Sequence, residues 1–161
     1  METLVNQIHN SLLKNRKSLA VAESCTGGLL SSLLTQLSGS SRYFILGIVA
    51  YSNKAKTALL KIPASVILKE GAVSKVSASL MAKNVRRIAG ADFGIGITGI
   101  AGPTGAGPLK PVGTVFIGIA RKNRLTCQRF HFTGSRTTVR RKATQCALLL
   151  LLNYLKKSRS A

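Results

Sequence analysis

The segment AESCTGG, Ala22 to Gly28, carries a carboxylate, a hydroxyl and a thiol on consecutive positions ahead of two glycines. A short apolar run precedes it and a helical repeat follows it, so Ser24 falls on a strand-to-helix turn that favours an exposed nucleophilic hydroxyl. Cys25 is the rival nucleophile, because thiols at helix N-termini have lowered pKa values. Since neighbouring side chains point in different directions, only one of the two can face a substrate.

The same turn also offers main-chain donors. Backbone N–H groups near Cys25, Thr26 and Gly27 could stabilise a developing oxyanion, and Gly27 and Gly28 would let the chain approach a ligand closely. Glu23 either accepts a hydrogen bond from a substrate amide or fixes the turn, where an acid is favourable. An ordinary capped helix start is the alternative interpretation of the whole segment.

A nucleophilic serine needs a base, and histidine is scarce. The two histidines, His9 in a predicted first helix and His131 in a predicted hairpin, occupy positions typical of surface or packing residues. No acid follows Asp92, so a Ser-His-Asp triad is not favoured. A lysine held neutral by desolvation and by neighbouring positive charge can accept the serine proton instead. Lys54 and Lys56 follow the second predicted strand, on a loop that could face the serine turn.

Charge is the extreme feature of the composition. The 161 residues include 24 Lys or Arg and four Asp or Glu, for a formal net charge of +20. Such a chain attracts anions, including nucleic acid, although aromatic residues form only 5% of it and no basic-aromatic stacking pattern favours that partner. Four dispersed acids disfavour carboxylate-pair glycosidases and Mg²⁺ or Ca²⁺ sites. We therefore expect no metal and no cofactor.

Length and hydrophobicity predict one globular domain over residues 1–161. The longest apolar stretch, Cys146 to Leu152, is far shorter than the roughly 18 residues of a membrane helix. The N-terminal segment has helical periodicity rather than a secretory h-region, and the three cysteines have unrelated spacings. We expect a cytoplasmic protein with reduced thiols and no membrane partner.

Hydrophobic periodicity and turn residues predict alternating helices and strands. We expect helices over Glu2–Asn15, Leu29–Leu37, a segment from Asn53 that ends before Pro63, Lys75–Ala89 between Ser74 and Gly90, and about Thr138 to Lys157. Strands are expected over Ser18–Ala22, Phe44–Ser52 and Phe93–Thr98, and in the two segments that flank Arg121–Arg124. Strands that alternate with helices, followed by a hairpin, predict an α/β fold: a three-layer α/β/α sandwich with a mixed sheet in a single domain.

Other segments offer further contacts with a ligand. The loop from Gly99 to Pro111 follows a predicted strand and could cradle phosphate through its N–H groups, or be a flexible crossover. Arg136 and Arg140 flank the predicted start of the last helix and could grip a phosphate bidentately. The segment GIGITG, Gly94 to Gly99, matches the residue pattern of a dinucleotide-binding motif. Its context does not fit that motif, because its first glycines fall inside a predicted strand and no acid follows at the required distance.

Six segments in order give the chain a family resemblance: AESCTGG, VAYSNKAK, GAVS, TGIAGP, KPVGTV and FTGSR. Together they resemble the CinA C-terminal domain family over roughly Leu4 to Leu155, and the standalone members of that family are nicotinamide-nucleotide amidases. The resemblance implies hydrolysis of nicotinamide mononucleotide to nicotinate mononucleotide and ammonia by a metal-free Ser/Lys hydrolase. It also implies a three-layer α/β/α fold and a homodimer or higher homo-oligomer.

The family's functional residues transfer to matching positions of this sequence. The resemblance implies Ser24 as the nucleophile and Lys56, the last residue of YSNKAK, as the base, with Tyr51 in supporting reach. A nucleotide substrate would contact the first turn at Glu23, Cys25, Thr26, Gly27 and Gly28, the TGIAGP backbone at Thr98, Gly99, Ile100, Ala101 and Gly102, and Arg136 or Arg140 through its phosphate.

Three positions depart from the family pattern. Lys54 replaces an acid, Thr104 stands in a turn that is usually PDG or PGG, and Ser135 replaces an aspartate. These changes make the chain unusually basic for the family. Two alternatives therefore stay open: a weakly active member that associates with nucleic acid, and an amidase for another phosphorylated amide.

Overall fold

The computed structural model describes residues 1–157, which are built around a five-stranded sheet. The strands are β1 (Leu19–Glu23), β2 (Phe44–Val49), β3 (Phe93–Gly99), β4 (Thr114–Arg121) and β5 (Arg124–His131), in the spatial order β2-β1-β3-β4-β5. Strand β1 pairs in parallel with β2 and β3, whereas β4 pairs antiparallel with both β3 and β5. The predicted mixed sheet is confirmed.

Six α-helices cover the two faces of this sheet. They are α1 (Glu2–Lys14), α2 (Leu29–Thr35), α3 (Asn53–Leu60), α4 (Ala64–Glu70), α5 (Lys75–Ala89) and α6 (Arg136–Lys157), with a 3₁₀ turn at Ser40–Arg42. One buried apolar cluster joins α1, α2 and α6 to the sheet, and a second joins α3, α4 and α5 to its other face. The single-domain, three-layer α/β/α fold is therefore confirmed.

Differences from the predicted elements are local. Helix α4 was not predicted, because ASVILKE is only seven residues long and follows directly on Pro63, which reads as a breaker. Strand β2 ends at Val49, not Ser52, so Tyr51 lies in the connection to α3. Helix α6 begins at Arg136, two residues before the predicted Thr138.

Helix α5 lies unusually close to the sheet because three strand positions that face it are glycine. A Cβ atom built on Gly94 would lie 2.2 Å from the carbonyl oxygen of Ala82, and one on Gly96 would lie 2.4 Å from that of Ala78. Gly118 on β4 has the same relation to Ala78, at 2.6 Å. The GIGITG segment therefore serves helix packing, which explains its glycines without a dinucleotide.

Strand direction gives the sandwich two different ends. The carboxyl ends of β1, β2 and β3 meet at one end, where parallel α/β sheets usually place ligands. The opposite end holds the α1–β1 and α5–β3 connections and the β4–β5 hairpin. Among residues 1–157, no helix is long and apolar enough to cross a membrane.

Candidate active site

Ser24 follows the last residue of β1 and is held there by the main chain. Its N–H donates to the carbonyl of Ile97 at 3.0 Å, and its own carbonyl accepts from the N–H of Gly27 at 3.0 Å. Gly27 and Gly28 have φ values of 60° and 91°, which are easily reached only by glycine. Ser24 thus lies five residues before α2 begins, and it is 7% exposed.

Lys56 approaches Ser24 from the first turn of α3. That helix begins where the Ser52 hydroxyl accepts a hydrogen bond from the Ala55 N–H at 3.0 Å. The Lys56 Nζ atom lies 3.1 Å from Ser24 Oγ, and the side chain is only 2% exposed. The amine also donates to the main-chain carbonyls of Ala50 at 3.0 Å and Tyr51 at 3.4 Å.

The surroundings of Lys56 favour a neutral amine. Burial lowers the pKa of Lys56 from its usual value, and the nearby Cys25 thiol opposes this only as a secondary effect. The N-terminal turn of a helix is also an unfavourable place for a cation. A neutral amine can donate its two N–H groups to the carbonyls of Ala50 and Tyr51 and turn its lone pair to the Ser24 hydroxyl.

Cys25 has the opposite chemistry from a reactive thiol. Its side chain is 5% exposed, and burial, together with the nearby Glu23 carboxylate, raises its pKa to about 12. A thiol with that pKa stays protonated at neutral pH and is a poor nucleophile. Of the two rivals on the turn, the geometry favours Ser24.

Glu23 is directed into the protein and holds the turn. One carboxylate oxygen accepts from the N–H groups of Gly28 and Leu30, both at 3.1 Å, and the other accepts from the N–H and hydroxyl of Ser31 at 2.8 and 2.7 Å. These N–H groups lie at the start of α2, where the helix itself provides no carbonyl acceptor for them. The N-cap residue, Gly28, has no side chain that could accept a hydrogen bond in place of Glu23. Glu23 is fully buried, so of its two suggested roles the geometry favours fixing the turn.

A cleft of about 200 Å³ opens beside Ser24 and Lys56. Eight of the sequence-predicted site residues line it: Ser24, Cys25, Tyr51, Lys56, Thr98, Gly99, Ala101 and Arg136. Asn53, Ala72 and Val73 also line it and were given no role from sequence. The hydroxyl of Thr98 donates to the Ala72 carbonyl at 2.8 Å and thereby fixes that segment. The sequence did contain a signal for Ala72 and Val73, because both belong to the GAVS segment of the family resemblance.

The two candidate phosphate ligands have separate positions. Arg136 reaches the cleft and donates to the carbonyl of Gly102 at 2.9 Å and to the hydroxyl of Tyr51. Arg140 lies outside the cleft lining and donates from Nη2 and Nε to the carbonyl of Thr26, at 2.8 and 3.3 Å. Arg140 therefore contacts the serine turn, whereas Arg136 lines the cleft.

Only part of the predicted main-chain cradle remains available for a ligand. The N–H groups of Gly27 and Gly28 are used within the turn, and that of Ile100 donates to Thr114 at 2.8 Å. For residues 1–157, the structure gives no main-chain carbonyl partner to the N–H groups of Cys25 and Thr26. The hydroxyl of Thr26 is buried and has no partner in the same range. The two turn N–H groups are therefore the best candidates for an oxyanion hole.

Other chemistries find no support at this cleft. Neither His9 nor His131 lines it, and the His9 ring contacts the Tyr43 hydroxyl instead. Across the described residues, no group of three or more His, Cys, Asp or Glu side chains is arranged to hold a metal ion. The three cysteines are unpaired.

Known sequences match nearly the whole chain. Residues 1–155 match the CinA C-terminal domain. A CinA-like protein of Syntrophus aciditrophicus is 48% identical over 96% of this chain but only 37% of its own length. A CinA-like protein of Thermotoga maritima is 48% identical over 90% of this chain and 36% of its own length. The chain thus spans little more than a third of the curated relatives it matches.

Solved structures match both the fold and its extent. The competence damage-inducible protein A of Klebsiella pneumoniae superposes with a TM-score of 0.93 at 31% identity, covering 96% of each chain. A competence/damage inducible protein of Agrobacterium tumefaciens gives a TM-score of 0.90 at 34% identity, covering 94% of each chain.

Proposed function

Because the chain belongs to the CinA C-terminal domain family, we propose that it hydrolyses the carboxamide of nicotinamide mononucleotide to nicotinate mononucleotide and ammonia. The observation that carries this proposal is the 3.1 Å approach of the buried Lys56 amine to the Ser24 hydroxyl. The two side chains come from separate parts of the chain, because Ser24 follows β1 and Lys56 lies on α3.

Acylation begins when Ser24 Oγ attacks the carboxamide carbon and its proton passes to the neutral amine of Lys56. The tetrahedral intermediate collapses as the C–N bond breaks, and Lys56 returns the proton to the leaving nitrogen, which departs as ammonia. An ester on Ser24 remains. Water then attacks that ester, again giving a proton to Lys56, and the acid leaves as the serine regains its proton.

Charge that develops on the carboxamide oxygen needs fixed donors. The N–H groups of Cys25 and Thr26 are the turn donors left over after Glu23 and the Ser24 carbonyl have taken the others. Donors that are already oriented stabilise a transition state without reorganisation, and one such donor typically contributes about 3 to 4 kcal/mol. The Arg140 contacts to the Thr26 carbonyl, in the peptide unit that follows these donors, would help to hold the turn in position.

The cleft suits one end of a nucleotide. Its volume of about 200 Å³ is below the roughly 300 Å³ or more of pockets that enclose a whole drug-sized ligand, so the amide-bearing ring would enter and the remainder lie along the rim. The exposed residues Tyr51 and Arg136 form that rim. The Arg136 guanidinium would bind the phosphate of the proposed substrate at that rim.

Ammonia release from nicotinamide mononucleotide, with mass detection of the acid product, tests the proposal. Ser24→Ala should abolish the reaction, whereas the matched variant Cys25→Ala should retain most of it. Lys56→Ala should lower kcat by several orders of magnitude at neutral pH. The reverse ranking of Ser24→Ala and Cys25→Ala would transfer the nucleophile to the thiol, and near-normal turnover by Lys56→Ala would remove lysine from the mechanism.

An amidase for another phosphorylated amide is the second candidate, since the Ser24–Lys56 pair and Arg136 would serve any small amide that carries a phosphate. A panel of nucleotides and simple amides, assayed for ammonia, separates the two. Preference for a different phosphorylated amide, still dependent on Ser24, would keep the mechanism and change the substrate.

A further inference from the structure

The cleft beside Ser24 contains a polar side chain to which the reaction described above gives no role. Side chains that can donate or accept a hydrogen bond belong to seven of its lining residues: Ser24, Cys25, Tyr51, Asn53, Lys56, Thr98 and Arg136. Asn53 is the first residue of α3, and it is exposed. It is the one of the seven without an assigned position in the chemistry or in the turn.

The other strong hydrogen-bonding groups of this lining already have partners within the protein. Their contacts join Ser24 to Lys56, Thr98 to the Ala72 carbonyl, and Arg136 to the Tyr51 hydroxyl and the Gly102 carbonyl. Within residues 1–157, by contrast, the side chain of Asn53 neither donates nor accepts a hydrogen bond. Its amide group is therefore available to a ligand in the cleft.

Helix geometry places the Asn53 amide beside the Lys56 amine. Residues three positions apart share a helix face, with about 5 to 6 Å between their Cβ atoms. Side chains on a helix lean toward its N-terminus. The Lys56 amine follows this rule, since it contacts the carbonyls of Ala50 and Tyr51, which precede α3. Because Asn53 begins that helix, its amide and the Lys56 amine border the same part of the cleft.

The proposed reaction brings the leaving nitrogen of the substrate to this part of the cleft. With the carboxamide carbon at Ser24 Oγ and its oxygen at the N–H groups of Cys25 and Thr26, the nitrogen must face Lys56, which returns the proton. The nitrogen carries two N–H donors, and in the tetrahedral intermediate it also has a lone pair. An acceptor beside Lys56 that takes one N–H would orient this lone pair toward the amine.

Asn53 is the side chain best placed to be that acceptor. Arg136 has donors only, and the Tyr51 hydroxyl already accepts from Arg136 at the rim. The Thr98 hydroxyl belongs to β3, on the other side of β1 from β2, whereas Lys56 is held by carbonyls that follow β2. The oxygen of the Asn53 amide is also uncharged, so it does not favour the protonated form of Lys56 as a carboxylate would.

We propose, on the basis of the proposed amide hydrolysis, that Asn53 determines the preference of this site for an amide. Its Oδ1 atom accepts one N–H of the carboxamide while Lys56 delivers the proton to the lone pair of the same nitrogen. This hydrogen bond strengthens as the nitrogen gains positive charge, because charge-assisted hydrogen bonds are roughly twice as strong as neutral ones. The contact therefore acts mainly in the transition state. An ester, whose leaving oxygen carries no hydrogen, gains nothing from this acceptor.

The ratio of amide to ester hydrolysis tests this role. The two substrates are nicotinamide mononucleotide and the methyl ester of nicotinate mononucleotide, which differ only in the leaving group and give the same acid product. Their kcat/KM values report acylation, the step in which the leaving groups differ. Asn53→Leu removes the hydrogen-bonding atoms at similar size, so kcat/KM for the amide should fall about 10- to 100-fold, the range for hydrogen bonds to charged groups. For the ester it should stay within about threefold of the wild type, because the lost acceptor has no N–H to bind there.

Asn53→Asp separates an acceptor from a donor at this position. A carboxylate still accepts an N–H but cannot donate, so the amide-to-ester ratio should stay within about threefold of the wild-type ratio. Because the carboxylate will also raise the pKa of Lys56, each variant is assayed across a pH range and compared at its own maximum.

The matched control is Asn10→Leu, the same change at an exposed position of α1, which should leave both rates unchanged. Melting temperatures establish that each variant is folded, and Asn53→Ala replaces Asn53→Leu if the larger side chain unfolds the protein.

Three results would overturn this role of Asn53 while Ser24-dependent hydrolysis persists. Equal losses for the amide and the ester in Asn53→Leu would mean that the residue supports the site as a whole. An unchanged amide rate would mean that it does not touch the leaving group. A ratio that falls in Asn53→Asp as far as in Asn53→Leu would mean that the amino group of Asn53, not its oxygen, contacts the substrate. A wild type that hydrolyses neither substrate would instead refute the proposed function, and the role of Asn53 with it.

Discussion

Burial of the Lys56 amine costs the folded protein stability. A buried lysine loses hydration that two carbonyls and a hydroxyl only partly replace, and the result is a lowered pKa. This lowered pKa makes folding depend on pH.

We expect the free energy of unfolding of the wild type, relative to Lys56→Met, to increase as the pH rises. Below the lowered pKa, folded and unfolded chains both carry the charge and the wild type bears the full cost of burying it. Between that pKa and the unfolded value of about 10.4, the unfolded state binds more protons, so stability rises by up to about 1.4 kcal/mol per pH unit.

Urea denaturation of both proteins between neutral pH and about pH 10 measures this difference. Subtracting the Lys56→Met curve removes the titration of the other groups common to both. A difference that is flat with pH would show that Lys56 keeps its ordinary pKa when folded.

At this scale the sequence was most informative about Ser24 and Lys56. The lack of usable histidines and acids pointed to a lysine, and the structure brings Lys56 to the serine. The direction of Glu23 and of Arg140 could not be read in the same way. Each has a favourable electrostatic role in several orientations, and the choice depends on which N–H groups and carbonyls the folded turn leaves unpaired.

Helix α5 is the element whose position depends most on residues that lack a side chain. It packs against Gly94 and Gly96 of β3 and Gly118 of β4 at distances that leave no room for a methyl group. Strand β3 also fixes Ser24 through the Ile97 carbonyl, so the packing of α5 affects the position of Ser24.

Gly96→Ala should destabilise the protein by about 1 to 3 kcal/mol, the usual range for overpacking. The added methyl group would meet main-chain atoms of α5, at 2.4 Å from the Ala78 carbonyl, which cannot rotate away. Thermal or urea unfolding gives the value. Gly107→Ala is the matched control, because nothing lies within 4 Å of its added Cβ atom and it should change stability by less than about 0.5 kcal/mol. Equal effects of the two changes would contradict the packing argument.

Element types were predictable wherever a long periodic pattern met a clear cap, as in α5 between Ser74 and Gly90. Helix α4 was missed because its seven residues are too few to establish a period and Pro63 stands at its N-cap. The role of the β3 glycines could not be predicted from the sequence either. A glycine in a strand signals a close approach, but only the folded chain identifies what approaches.

On the scale of the whole molecule, net charge opposes compactness. With +20 charges on 161 residues, self-repulsion should be substantial at low ionic strength. The exposed Lys17–Asp92 ion pair is worth at most about 1 kcal/mol and does little to offset it.

We therefore expect the melting temperature to rise when salt is increased from about 10 to 150 mM, as the Debye length falls from about 30 to 8 Å. Scanning calorimetry in sodium chloride at neutral pH provides the measurement. The Arg86→Ala/Lys122→Ala/Arg124→Ala variant, which removes three positive charges, should show a smaller rise. A melting temperature that falls with salt would mean that attractive pairs, not repulsion, dominate the surface.

Strand polarity has a last consequence for the Ser24 cleft. Because the cleft opens at the carboxyl ends of β1, β2 and β3 and the β4–β5 hairpin turns at the opposite end, a bulky group attached to that hairpin would leave diffusion to Ser24 unobstructed.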